Sequence, residues 1–297
     1  MVAMPARILL KTTIGPVKDD WSIFRFSLLA RYLRGLRDSQ GRTLYEVTAH
    51  DRIAGDGGND VDLQELRDYD QLWLLAVDNT GALTTADVES VARFHRAGGG
   101  ILLTRDHQDL GSCLARLGAV GKTQYFQSVN PDPDPSRHCR DDTQTLSISW
   151  PNFHSGANGD LQTITAGEPV HALMRTSAGR PIRSLPAHPH EGAVGVPEAL
   201  RDNARVVAHG RSKATGATFN VCVAVEEPGL GRAVSDSSFH HFCDYNWNPD
   251  AGCPSFVDEP AGAGVLASPD ALDDTHCYVE NIAAWLAGHI GRDESRR

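Results

Sequence analysis

The sequence predicts one α/β domain built on a parallel, flavodoxin-like sheet with helices on both faces and a long irregular insertion. Three observations carry this. Four short apolar runs, at residues 7–12, 44–49, 71–77 and 101–104, alternate with segments of helical periodicity. The runs at 71–77 and 101–104 are apolar nearly throughout, as strands covered on both faces are. The alternation fades after Gly121 and returns near Arg205, so the irregular stretch interrupts the fold rather than following it.

The elements follow in chain order. Residues 7–12 (RILLKT) form a first buried strand, and Phe24, Leu28, Leu29, Leu33 and Leu36 then mark one face of a helix over 21–37. A second strand at 44–49 is followed by the turn-forming GDGGND at 55–60, a short helical piece at 63–66 and a third strand, QLWLLAV, at 71–77. Thr84 or Thr85 is placed to cap a helix running to about Arg96, because Asp87, Glu89 and an apolar period follow. Gly98, Gly99 and Gly100 end that helix, residues 101–104 make a fourth, central strand, and a new helix is expected near Asp109. Closing strands are expected at 205–209, 217–225 and 232–235. The last helix is expected at 274–290, capped by Asp274 or Thr275, with Tyr278, Ile282, Trp285 and Leu286 on one face. Between them, residues 130–135 (NPDPDP) cannot be helical, because each residue before proline is driven to extended geometry. The whole chain, 1–297, is therefore read as a single domain with an insertion or cap at about 122–204.

Composition narrows the function classes. The 297 residues carry a net charge of −10, with 28 Lys and Arg against 38 Asp and Glu. No concentrated basic footprint is present, so nucleic acid and anionic membrane are not the expected partners. No apolar run approaches the ~18 residues of a membrane span, nor does the start carry a signal-peptide pattern, so a cytoplasmic protein with reduced thiols is expected. The six cysteines include no C-x-x-C pair.

Three clusters carry candidate chemistry. Arg105, Asp106 and His107 stand on a tight turn at the carboxyl end of the fourth strand, where open α/β sheets bind ligands; the bland alternative is a helix cap beside a surface histidine. His188, His190 and Glu191 lie within Leu185–Gly192 (LPAHPHEG), and residues i and i+2 of an extended chain share a face; the alternative is an exposed loop. Asp236, His240, His241 and Asp244 follow the last strand, where a helical turn would align Asp236, His240 and Asp244. His240 and His241 cannot point the same way, and one packed and one solvated histidine is the plain alternative.

These groups suit acid/base catalysis, with Asp106, His107, His240 and Glu191 as catalytic residues. They also suit a divalent metal such as zinc, iron or manganese, with His107, His188, His190, His240 and Asp236 as ligands. The rival reading is a non-catalytic sugar-binding or interaction module, in which Trp150, Phe153, Tyr245 and Trp247 supply aromatic platforms. In either case the partner is a small polar molecule such as a sugar or an amide, with homo-oligomerisation left open.

The chain resembles the class I glutamine amidotransferase-like superfamily, near its trehalose-utilisation (ThuA-like) branch. The residues that carry this are Asp19-Asp20-Trp21 with Arg25-Phe26-Ser27-Leu28-Leu29, Gly98-Gly99-Gly100 with Asp106-His107-Gln108-Asp109-Leu110-Gly111, His188-Pro189-His190-Glu191-Gly192, and Asp236-Ser237-Ser238-Phe239-His240-His241. The resemblance implies the fold over about 5–125 and 205–290. True amidotransferases carry a cysteine nucleophile on the elbow. Here the elbow holds Arg105, Asp106 and His107, and Cys113 lies beyond it, so no glutaminase activity is expected. No Gly-x-Ser-x-Gly elbow is present either.

Overall fold

The computed structural model describes residues 4–75, 82–107, 109–126, 157–187, 192–212, 216, 218–258 and 260–290. Its strands are β1 (Ala6–Thr12), β2 (Tyr45–His50), β3 (Gln71–Leu75), β4 (Gly100–Thr104), β5 (Gln124–Tyr125), β6 (Leu161–Ala166), β7 (Ser184–Pro186), β8 (Ala193–Val194), β9 (Ala204–Arg211), β10 (Thr218–Val225) and β11 (Ala233–Asp236). The α-helices are α1 (Ser27–Gly35), α2 (Val61–Gln64), α3 (Thr85–Arg96), α4 (Gly118–Gly121), α5 (Asp244–Trp247), α6 (Gly264–Ala267) and α7 (Pro269–Leu286).

Nine strands form one sheet in the order β2-β1-β3-β4-β11-β10-β9-β6-β7, and β5 pairs with β8 apart from it. The first five in that order are parallel, with β4 held between β3 and β11. The other half is antiparallel. For β9-β10-β11 the reason is connection length: residues 212–217 join β9 to β10 and 226–232 join β10 to β11, and a parallel crossover needs a dozen or more residues. Within the irregular region, β6 and β7 extend this same sheet rather than building a separate one.

Alternation along the buried strands divides the core into two layers. Ile8, Leu10, Trp73, Leu75, Leu102 and Val234 face α1 and α7. Leu9, Leu72, Leu74, Ile101 and Leu103 face α3 and the segment around Cys113 to Val120. The sheet is thus covered on both faces, as expected. α3 begins at the expected place: Thr84 and Asp87 form a reciprocal capping box that satisfies two of the helix's open amide groups.

Three expectations are corrected. The first helical segment opens as a one-turn 3-10 helix, Ile23–Phe26, leaving Phe24 exposed. No helix starts at Asp109: Gly111 takes φ 79° and a 3-10 turn, Ser112–Arg116, follows, so no long helix directs its amino end at the elbow. α7 begins at Pro269, not at Asp274. Asp274 sits inside it, accepts the Arg183 and Ser184 amides at 2.9 and 3.2 Å, and pairs with Arg180 at 2.7 Å. Tertiary partners on and just before β7 thus satisfy an acid that local chemistry would place at a cap. Among the described residues no helix is long and apolar enough to cross a membrane.

Candidate active site

Asp106 leaves the sheet one residue after Arg105, at the carboxyl end of β4. It is only 5% exposed. Its Oδ1 accepts the His107 amide at 2.8 Å and lies 3.1 Å from His107 Nδ1. Its Oδ2 lies 3.8 Å from His240 Nε2. Burial alone would push this carboxyl up, but the two imidazoles outweigh it and hold the group well below the usual carboxylate range. Asp106 is therefore ionised at neutral pH.

His240 comes from a one-turn 3-10 helix, Phe239–Phe242, that follows β11. β11 runs parallel to β4 with Asp236 opposite Thr104, so both chains leave the sheet side by side. The Phe239 amide donates to the Arg105 carbonyl at 2.8 Å and joins the two exits. Ser238 caps the turn by accepting the His240 amide, and Asn246 Nδ2 donates to the His240 carbonyl at 2.8 Å. The imidazole is stacked on Phe239 at 4.0 Å and meets the edge of Trp21 at 4.9 Å. These rings fix the direction of Nε2. His107, by contrast, is partly exposed, with 22% of its side chain open.

Beneath the pair lies Arg105, wholly buried, its guanidinium 4.2 Å from the Phe126 ring centroid. Burial brings its pKa down to about 9 against the pull of Asp106 and Asp109. Its Nε donates to the Asp106 carbonyl at 2.7 Å, which braces the elbow. Gly192 presses on it from the other side: a Cβ there would stand 2.1 Å from Arg105 Nε. The Gly192 amide donates to the Ser237 carbonyl, so the chain returns to the elbow at this point.

The third cluster divides. His241 turns away from His240 and pairs with Asp236, Nδ1 to Oδ1, at 2.8 Å with both groups fully buried. Asp236 also accepts the Tyr278 hydroxyl at 2.6 Å and the Ser238 amide at 2.9 Å. Its oxygens thus face three donors of its own chain, a poor arrangement for a metal ligand. Asp244 does not join His240 either. It accepts the Ser27 and Leu28 amides at 3.1 and 2.7 Å and so caps α1 from across the fold.

His188, His190 and Glu191 lie outside the described residues, as do Trp150 and Phe153. Among the described residues no three His, Cys, Asp or Glu side chains are arranged to hold a metal ion. Tyr245 and Trp247 are buried, at 7% and 4% exposure, and offer no open platform at the elbow. Cys113 is buried in the 3-10 turn and packs in the second core layer.

Sequence reasoning missed one neighbour of the site and one buried cation away from it. Trp21, which orients His240, had as its only signal the Asp-Asp-Trp run after β1. Lys11 was read as strand and is wholly buried. It pairs with Asp60 at 2.9 Å and with Asp62, and donates to the Asp51 carbonyl. A cavity of about 1210 Å³ lies at the opposite end of the strands, against Arg7, Asp70, Phe94 and Gly99, and meets neither the elbow nor the Asp236–Asp244 cluster.

No family model matches the chain, and no curated protein matches it. Solved structures do. A thua-like protein from Parabacteroides merdae superposes with TM-score 0.53 at 13% identity, over 99% of this chain and 94% of that one. The mmIFT52 N-terminal domain superposes with TM-score 0.52 at 12% identity, over 96% of this chain and 100% of that one. The glutaminase domain of Trypanosoma brucei CTPS matches more loosely, with TM-score 0.43 at 15% identity and 94% coverage of each chain. The likeness is one of fold: the chain shares with the first two a mostly parallel sheet covered by helices, the flavodoxin-like α/β architecture that the sequence predicts.

Proposed function

We propose that the protein is an enzyme of hydrolase-like, acid/base type acting on a small polar molecule such as a sugar or an amide, without glutaminase activity. The observation that carries this reading is one buried carboxylate, Asp106, set between two imidazoles at the carboxyl end of β4. In this reading His107, the more open of the two, exchanges the proton with the substrate. Asp106 faces its Nδ1 and stabilises the imidazolium that forms. His240, clamped between Phe239 and Trp21, holds the other Asp106 oxygen in place. Arg105 braces the elbow and supplies buried positive charge behind it. No step needs a metal ion.

The test is turnover of a panel of glycosides, amides and esters by the purified protein, compared with Asp106→Asn and His107→Gln. Turnover lost in both variants, with the melting temperature kept, supports the reading. A sugar that binds without turnover, equally to wild type and both variants, overturns it in favour of a non-catalytic binding module. Thiol-dependent ammonia release from glutamine overturns the exclusion of glutaminase chemistry.

A further inference from the structure

A second pocket lies away from the elbow, between α1, α5 and α7. It holds about 490 Å³, within the range of small-molecule sites. Its walls are apolar at Leu28, Leu36 and Leu272, and three rings meet there. Tyr32 and His276 are stacked at 4.1 Å with planes 13° apart. Trp247 meets His276 at 5.3 Å and 73°, and Tyr32 at 6.1 Å and 85°. These rings form a corner with both stacking and edge positions, the two geometries an aromatic guest prefers. The Tyr32 hydroxyl donates to Glu280, so it is engaged on its own wall.

Charge chooses the guest. Arg31 lines the pocket, is exposed, and makes no hydrogen bond or ion pair to any described residue. Its charge reaches the Asp244 carboxylate, but the nearby acids take their hydrogen bonds elsewhere or lie outside the pocket. Asp244 caps α1, Glu280 receives Tyr32, and Asp273 does not line the pocket. Among the described residues the one charged side chain on the lining is therefore a cation that feels the Asp244 charge but is held by no hydrogen bond, at the rim of an apolar, ring-walled cavity.

We infer that this pocket binds a planar aromatic carboxylate, with its ring system against His276, Tyr32 and Trp247 and its carboxylate on the Arg31 guanidinium. The site is joined to the elbow through α5. The Trp247 indole N–H donates to the His241 carbonyl at 2.8 Å, and Asn246 of the same helix holds the His240 carbonyl. A ligand that presses on the indole therefore acts on the turn that places His240. This holds whether or not the Asp106 site is catalytic.

Three probes of one shape separate the possibilities: 2-naphthoate, 2-naphthylmethanol and 2-naphthylmethylammonium, titrated calorimetrically into the full chain. The naphthoate should bind most tightly and the ammonium least. Arg31→Gln should weaken the naphthoate by about fivefold, the scale of an exposed ion pair, and leave the alcohol unchanged. His276→Ala should weaken both. In NMR spectra the naphthoate should move the Trp247 indole N–H and the His240 and His241 ring signals. No binding, or the ammonium binding best, overturns the site. An Arg31→Gln variant that binds the naphthoate like wild type overturns the assignment of the guanidinium. Binding that leaves the His240 and His241 signals still overturns the link to the elbow. Concentration-dependent dimerisation abolished by His276→Ala also overturns the proposal, since a second copy would then cover this face.

Discussion

Replacing Asp106 with Asn removes one negative charge and changes almost no volume, so its consequences can be worked from the two imidazole contacts. The Asn side-chain oxygen can still accept the His107 amide, so the elbow should keep its shape. What is lost is the charge 3.1 Å from His107 Nδ1 and 3.8 Å from His240 Nε2. At an effective dielectric near 20, a full charge pair at such distances is worth about 4 kcal/mol, an upper limit reached only when the imidazole is protonated. Turnover should fall by about 10²–10⁴, the range of acid/base catalysis, because the imidazolium formed in the reaction loses its counter-charge. Stability gives an independent check. Asp106 titrates below its unfolded value in the folded state, so the native protein binds fewer protons there. Its contribution is complete above about pH 5 and drains away as the pH falls below about 4, through the folded value. Urea unfolding of wild type and Asp106→Asn from pH 3 to 7 should therefore show a wild-type advantage at pH 5–7 that shrinks toward pH 3. A gap that is constant across that range, or turnover within threefold of wild type, would refute the reasoning.

Tyr278→Phe strands a fully buried Asp236 oxygen and should cost about 1–3 kcal/mol in urea unfolding; an unchanged midpoint would show that Asp236 does not depend on that hydroxyl. Gly192→Ala puts a methyl group 2.1 Å from Arg105 Nε and should cost about 1–3 kcal/mol, read as a lowered melting temperature. Cys113→Ala should leave ammonia release from glutamine at the uncatalysed level in both forms, because this thiol is packed in the core, away from the elbow.

Much of the architecture was legible in the chain itself. Buried parallel strands are apolar on both faces, so β1, β3 and β4 stand out by local composition, and the capping box of α3 is written in Thr84 and Asp87. The elbow was legible too, because Asp106 and His107 follow a strand whose carboxyl end must open on the crevice. The direction of β10 between β9 and β11 depended on connection length, and the expected helix after Asp109 failed because a left-handed glycine and a 3-10 turn replaced it. Asp274 shows the same limit: its partners lie about 90 residues away, on and beside β7, where no local pattern can point.

The candidate site divides along the same line. Sequence alone determined which residue types stand at the strand ends, because burial and periodicity act within a few residues. Only the tertiary structure decided how they pair. His240 and His241 are adjacent in the chain, yet the turn sends one to Asp106 and the other to Asp236, and Asp244 is drawn off to cap α1. The choice is made by packing and by buried charge. Each carboxylate must find donors once water is removed, and which donors are within reach depends on the elements that the fold brings together.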